Sequence, residues 1–255
     1  MPGQTRKARK YSSRRTTRKA GKKTGYRRKP VNKYKLKKGY LRVMRKMNEI
    51  TISSTGTAGT LFKTEVLPSG SLNCLNVNNI NTIAQGLSGG VAYDVPFSLQ
   101  FALNQVINHQ ELTNLADKYR IAGAYVRIYY NHSGASGAST YSQPYVQYTT
   151  DGDDATVPTL SSLREKMGVK MKTFKNQSAY IGIKCKPVPN RQVYNPGGTA
   201  AYEVAKYAPY LDCANDGVPH FGIKGVISNM NLPATAGIEC MKFDVALLLE
   251  LKDIQ

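Results

Sequence analysis

The 255-residue sequence contains no tryptophan, only three histidines and four cysteines, and its first 48 residues include no aspartate or glutamate. Each shortage closes off a class of chemistry. Cys74, Cys185, Cys213 and Cys240 are scattered without a C-x-x-C pair, which excludes zinc-ribbon and thioredoxin-type patterns. They are expected to be reduced, mostly buried thiols, consistent with a reducing compartment. His109, His132 and His220 are equally isolated, so no metal site is predicted. Apolar runs are short. Val245 to Leu249 falls far below the roughly 20 residues of a membrane-spanning helix, and no membrane insertion is expected. The first residues have no apolar stretch of the kind a secretory leader carries, so none is expected. No cofactor is predicted.

What is present is charge of one sign in one place. Residues 1–48 hold 20 of the 36 Lys and Arg, and the first acid is Glu49. From Glu49 onward 16 basic residues meet 16 acidic ones, so a neutral body carries an arm of charge +20. Such segregation points to a polyanionic partner and to a tail that reaches for it. Residues 1–40 have little apolar content and repel themselves, and are expected to be disordered when free. The basic residues cluster as Arg6-Lys7, Arg9-Lys10, Arg14-Arg15, Arg18-Lys19, Lys22-Lys23 and Arg27-Arg28-Lys29, with Tyr11 and Tyr26 interleaved. Arg and Lys neutralise phosphates, and tyrosine rings stack on unpaired bases. These residues are therefore the predicted nucleic-acid-binding set. The tract Arg14, Arg15, Arg18, Lys19, Lys22, Lys23, Arg27, Arg28 and Lys29 also fits the loose pattern of a nuclear-import signal, which implies an import receptor as a partner. A merely solvated tail is the bland alternative. Binding to acidic lipid lacks the amphipathic period it needs.

The remaining residues, predicted as one domain over 41–255, read as strands. Val95, Phe97, Leu99, Phe101 and Leu103 alternate with Pro96, Ser98, Gln100, Ala102 and Asn104. Ala124, Val126, Ile128 and Tyr130 alternate with Tyr125, Arg127 and Tyr129. Val169 and Met171 oppose Lys170 and Lys172, Ala179, Ile181, Ile183 and Cys185 oppose Tyr180, Gly182, Lys184 and Lys186, and Ile223, Gly225 and Ile227 continue the theme. Met241, Phe243, Val245, Leu247, Leu249 and Leu251 give the clearest period of two. Leu41, Val43 and Met47 could begin the first strand. Two short helices are predicted: Gln110 to Tyr119, with Leu112, Leu115 and Tyr119 on one face, and Thr159 to Met167. In the second, Leu160, Leu163 and Met167 share a face, and Ser162 and Glu165 stand at capping-box spacing. Ser53 to Thr60, Gly86 to Gly90, Ser133 to Thr140, Asp151 to Pro158 and Pro187 to Gly198 are predicted loops. About eight strands without a strand–helix–strand rhythm mean an all-β antiparallel sandwich or barrel.

Enzyme motifs fail on context. Gly86-Leu87-Ser88-Gly89-Gly90 fits G-x-S-x-G, but a strand rather than a helix follows it. His109-Gln110-Glu111 has no P-C-x-x-C partner, and His109 reads as a helix start. Gly217 and Gly222 have phosphate-loop spacing, yet Ile223 stands where the lysine should be. Asp151-Gly152-Asp153-Asp154 lacks the spacing of an EF-hand and reads as a solvated acidic turn. No catalytic residue is predicted.

The parts together resemble a family. The arm precedes a strand over Tyr93 to Ile107, a short helix, then Asp117-Lys118-Tyr119-Arg120-Ile121 and Tyr125-Val126-Arg127-Ile128. This passage is similar to the C-to-D region of capsid proteins of circoviruses and related circular single-stranded DNA viruses. Pro144 to Thr150, Val169 to Lys175, Ala179 to Lys186, Phe221 to Ser228 and Lys242 to Leu251 look like strands E, F, G, H and I of the same fold. The arm is richer in Lys than is usual there, and Trp is lacking, so the resemblance points to the broad group. It implies an eight-stranded jelly roll, a T = 1 icosahedral shell of about sixty identical subunits, an arm on a packaged single-stranded DNA genome, and passage through the host nucleus. A balanced body supports this reading, because neutral subunits pack side by side without mutual repulsion. Two other classes stay open on sequence: a cellular nucleic-acid-binding protein with a basic tail, ribosomal or chromatin-associated, and an enzyme on a β-sandwich.

Overall fold

The structure, a computed structural model, describes residues 39–254 except 57–59, 69–70, 72, 78–80, 85–90, 132–143, 151–153, 175–179, 195–199, 205–208 and 231–234. For 81–84, 91–92, 190–194 and 200–204 it describes the backbone alone.

The chain's last strand organises the first sheet. β15 (Ala236–Ile254) is long, and Met241, Phe243, Val245, Leu247, Leu249 and Leu251 all point inward at 0% exposure. Fully burying one such side chain is worth about 1.5–3 kcal/mol, so this one face anchors the core. On one flank β15 pairs antiparallel with β1 (Tyr40–Lys46) and then β2 (Ile50–Thr55). On its other flank lies β7 (Ala116–Tyr130), which in turn pairs with β10 (Tyr180–Cys185). The order is β10-β7-β15-β2, extended at the edge by β3 (Leu61–Glu65).

The second sheet is built on β14 (His220–Met230). It lies between β6 (Val91–Phe101) and β8 (Tyr145–Thr149), and β8 pairs with β9 (Lys170–Thr173). With β1 and β2 counted as one interrupted strand, the cores of the two sheets contain eight strands, in the orders β10-β7-β15-β2 and β6-β14-β8-β9. This is the jelly roll that the sequence implied. The expected strands D to I are β7, β8, β9, β10, β14 and β15 in turn.

The sheets face each other across one apolar core. Phe97 of β6 meets Phe243 of β15 edge-on, with centroids 5.6 Å apart. Gly225 makes this possible: a Cβ there would stand 2.7 Å from the Phe97 ring and 2.8 Å from the Gln147 carbonyl.

Short strands decorate the sandwich: β4 (Leu75–Val77) and β5 (Asn81–Ala84) on β6, β11 (Val188–Tyr194) with β12 (Ala200–Val204), and β13 (Leu211–Asp212) on β7. The predicted loop from Pro187 to Gly198 therefore contains a strand, and that from Ser53 to Thr60 begins inside β2. Gly86 to Gly90, Ser133 to Thr140 and Asp151 to Asp153 lie outside the described residues.

Both predicted helices are shorter than expected. α1 (His109–Leu115) does start at His109, and its N-cap Asn108 takes a left-handed conformation that Asn tolerates. It ends four residues before Tyr119, because Ala116 already pairs with Ile254. Tyr119 is a core residue of β7, at 0% exposure, and its hydroxyl donates to the Asn215 carbonyl at 2.9 Å. α2 (Leu160–Glu165) buries Leu163 but leaves Met167 at 98% exposure. Its capping box joins Thr159 and Ser162, not Ser162 and Glu165: the Thr159 hydroxyl accepts from the Ser162 N–H at 3.2 Å, and the Ser162 hydroxyl from the Thr159 N–H at 3.0 Å. Met171 is also exposed, because the register of β9 sets it opposite Gln147 on the outward side, leaving Lys170 and Lys172 beside Tyr148 and Val146. Gly222 lies within β14, so the Gly217–Gly222 spacing forms no phosphate loop.

Candidate nucleic-acid interface

The predicted binding residues Arg6, Lys7, Arg9, Lys10, Tyr11, Arg14, Arg15, Arg18, Lys19, Lys22, Lys23, Tyr26, Arg27, Arg28 and Lys29, with the import tract among them, lie outside the described residues. The described chain supplies a second cationic surface, on the outer face of the first sheet.

A bulge creates it. In β7 the pairing with β15 slips between Leu249–Ile121 and Leu248–Gly123, leaving Ala122 as the extra residue. Before the bulge Tyr119 and Ile121 point inward; after it Ala124, Val126, Ile128 and Tyr130 do. The inward parity thus changes from odd to even without breaking the core. Outward the same slip aligns Lys118 and Arg120 with Tyr125, Arg127 and Tyr129. Register extends the rows across the sheet: Lys46 of β1, Tyr125 of β7 and Lys184 of β10 in one, Tyr40, Lys252 and Lys118 in another.

Two of the carboxylates on this face, Glu250 and Asp244, sit low with cations above them, whereas Glu49 and Asp253, paired with Lys242 and Lys118, are 58% and 42% exposed. The Glu250 side chain is 7% exposed, takes the Arg120 Nε–H at 2.9 Å, and pairs with Arg42 at 3.5 Å. Asp244, at 12%, pairs with Lys46 at 3.6 Å and Arg127 at 3.7 Å. Arg42, Lys46 and Arg127 remain more than half exposed. Glu250 and Asp244 are thus each outnumbered by cations. Burial would raise the Glu250 carboxyl, but Arg120, Tyr40 and Arg42 hold it below its ordinary value. Burial, then the bond to Glu250, pushes Tyr40 up to about 12, so it stays a neutral phenol.

Tyrosine rings lie among these cations. Tyr129 and Tyr180 are 5.4 Å apart, with Arg127 5.4 Å from the Tyr180 centroid. Lys184 stands 5.2 Å from the Tyr125 ring, and Arg120 4.7 Å from that of Tyr210. In the sequence Tyr125, Arg127 and Tyr129 are legible as the strand's non-core alternates, and their Tyr and Arg composition is the signal that marks a surface of rings and cations. Neighbouring Lys46, Glu49, Arg127, Tyr129, Glu239 and Lys242 line a hollow of about 540 Å³.

The other sheet presents no such face among the described residues. Lys224, Val226 and Ser228 on its outer side are buried. The 154–163 segment contributes to this cover: Asp154 pairs with Lys224, Ser98 donates to the Ala155 carbonyl, and Leu163 is buried. Asp154 of the acidic turn is thus half of an ion pair. Among the described residues no His, Cys, Asp and Glu group is placed to hold a metal, and no helix is long and apolar enough to cross a membrane. All four cysteines are buried and free; burial raises the Cys185 thiol to about 12.

Comparison with known families decides the class. The circovirus capsid protein family model matches residues 2–255. The chain belongs to that family. It is a viral coat protein, and the cellular alternative falls away. No curated protein sequence matches the chain. Among solved structures it is similar to the 60-mer BFDV capsid protein, at 14% identity over 84% of this chain and 93% of that one, TM-score 0.49. It is also similar to the decameric BFDV capsid protein (15% identity, 84% and 98% covered, TM-score 0.41). A third likeness is to the coat of mud crab tombus-like virus (14%, 85% and 90%, TM-score 0.34).

Proposed function

We propose that this capsid protein closes into a T = 1 shell of about sixty copies, and that its arm condenses a circular single-stranded DNA genome inside. The family match over residues 2–255 carries the reading, because it takes in the +20 arm as well as the jelly roll. A closed point-group shell is the ordinary outcome for identical subunits meeting through repeated contacts. About sixty arms bring roughly 1,200 positive charges to the genome's phosphates. Arg6 to Lys29 carry the phosphate contacts, with Tyr11 and Tyr26 against bases. The same tract from Arg14 to Lys29 is read by an import receptor before the genome covers it, which places assembly in the host nucleus.

Electron microscopy of the purified protein tests the shell: particles of uniform diameter are expected, and a lone 28 kDa species would refute it. Salt dependence tests the arm. For a single-stranded oligonucleotide, log K should fall with log salt at about −0.7 per phosphate contact, near −7 for ten contacts. Replacing the Lys and Arg of residues 6–29 by Gln should flatten that slope, and an unchanged slope would remove the arm from the interface. Fused to a reporter too large to diffuse through nuclear pores, residues 1–40 should drive nuclear accumulation. Uniform cytoplasmic fluorescence, unaltered by the same Gln changes, would end the import role alone.

A further inference from the structure

We propose that the outer face of the β10-β7-β15-β1 sheet is a second nucleic-acid surface, and that its tyrosines make the protein prefer unpaired strands over duplex. The inference rests on the packaging reading above and assigns to the folded body a fixed array of rings beside cations, in addition to Tyr11 and Tyr26 of the arm. In the arm basic residues far outnumber the tyrosines, so its binding is dominated by phosphate neutralisation, which single strands and duplex both satisfy. Selection of single strands needs flat apolar rings that exposed bases can stack on, held where phosphates are also bound.

This face supplies both. Tyr125, Tyr129 and Tyr180 lie on adjacent strands of one surface, aligned by the Tyr180–Tyr129 and Lys184–Tyr125 register pairs. Tyr180 is 53% exposed, so its ring is open to a stacking base. Lys184 and Arg127 stand beside the rings at 5.2 and 5.4 Å, close enough to contact a phosphate flanking a stacked base. Around the rings Asp244 and Glu250 are sunk beneath Lys46, Arg127, Arg42 and Arg120, so a strand laid on the tyrosines meets those cations before either acid. Duplex DNA keeps its bases stacked inside and can use only the cations. Among the described residues the outer side of the other sheet is covered by the chain itself and offers no comparable array of rings and cations.

The full-length protein decides it. Binding of a labelled single strand and of the matching duplex is measured side by side at several salt concentrations. Wild type should favour the single strand. Tyr125→Ala, Tyr129→Ala and Tyr180→Ala together should weaken single-strand binding about tenfold or more, with duplex affinity changed less than twofold. Tyr→Phe at the same positions should retain the preference, because the ring remains. Photo-cross-linking of wild type to a bromouridine-substituted strand gives a readout that needs no variant: adducts are expected at Tyr125, Tyr129 or Tyr180. Adducts confined to residues 1–38, or an Ala variant that keeps wild-type strand preference, would overturn the proposal. So would Ala variants that stop particle formation while binding oligonucleotide normally, which would give the face to a neighbouring subunit. The arm's Gln variant fails separately: it alters the salt slope, whereas the tyrosine variants alter the strand preference.

Discussion

At the residue scale, His220 is a buried group whose charge state bears on stability. It opens β14 at 0% exposure, its Nδ1 lies 2.9 Å from the Val218 carbonyl, and its ring faces Tyr119 at 6.2 Å. Burial lowers its pKa from 6.5 to about 4. The unfolded chain takes up a proton below about 6.5 that the folded chain refuses until about 4. Stability is therefore full above pH 6.5 and declines as the pH falls toward 4, by up to about 3 kcal/mol. Melting of the wild type should drop between pH 7 and pH 5 more than that of His220→Phe, which has no proton to bind. Parallel curves would show that other groups set the acid sensitivity. Tyr119 cannot share the effect, since burial holds its phenol neutral across this range.

At the scale of elements, the 154–163 segment is held to the second sheet by a side-chain pair of unequal burial. The Lys224 side chain is 6% exposed and that of Asp154 52%. Burial favours the neutral acid, but the bonds from Lys224 and the Thr156 N–H hold the Asp154 carboxyl below its ordinary value. Taking away the acid leaves an ammonium in a site with little water, whereas taking away the cation leaves an acid that can turn to solvent. Asp154→Asn should therefore destabilise by about 1–3 kcal/mol, and Lys224→Met much less. In a denaturant titration the double variant should match Lys224→Met alone. If Asp154→Asn proves neutral, the pair does not anchor the segment. The same scale explains the shortened α1. Its helical pattern is real as far as Leu115, but pairing of Ala116 and Lys118 with β15 recovers ladder hydrogen bonds and buries Tyr119. A tertiary gain of that size outweighs a helix propensity of tenths of a kcal/mol per residue.

For the whole molecule, the division between a charged arm and a neutral body predicts independent folding. The described chain joins the sheet at Gly39, whose carbonyl accepts from the Asp253 N–H at 2.9 Å, and at Tyr40, which pairs with Lys252. No residue before these supplies a described strand. A protein lacking residues 1–38 should give a β-type circular dichroism spectrum and a cooperative melt. A disordered spectrum would show that the arm contributes to the fold.

The sequence by itself determined the all-β class, the strands from β6 to β15 that match the family's C to I, and the segregation of charge. These are local in origin: a period of two with large side chains on one face admits few other structures, and a stretch without acids cannot neutralise itself. Even the cations of β7 were legible as the strand's polar alternates. Only the tertiary structure decided what those alternates do. The slip at Ala122, the end of α1 at Leu115, the strand hidden in the Pro187–Gly198 loop and the exposure of Met167 and Met171 depend on which neighbour each segment meets. So does the joining of Tyr125, Tyr129, Tyr180, Lys184 and Arg127 into one face. Those residues are up to 59 positions apart, and their neighbourhood exists only in the register of β7 with β10, which no local pattern encodes.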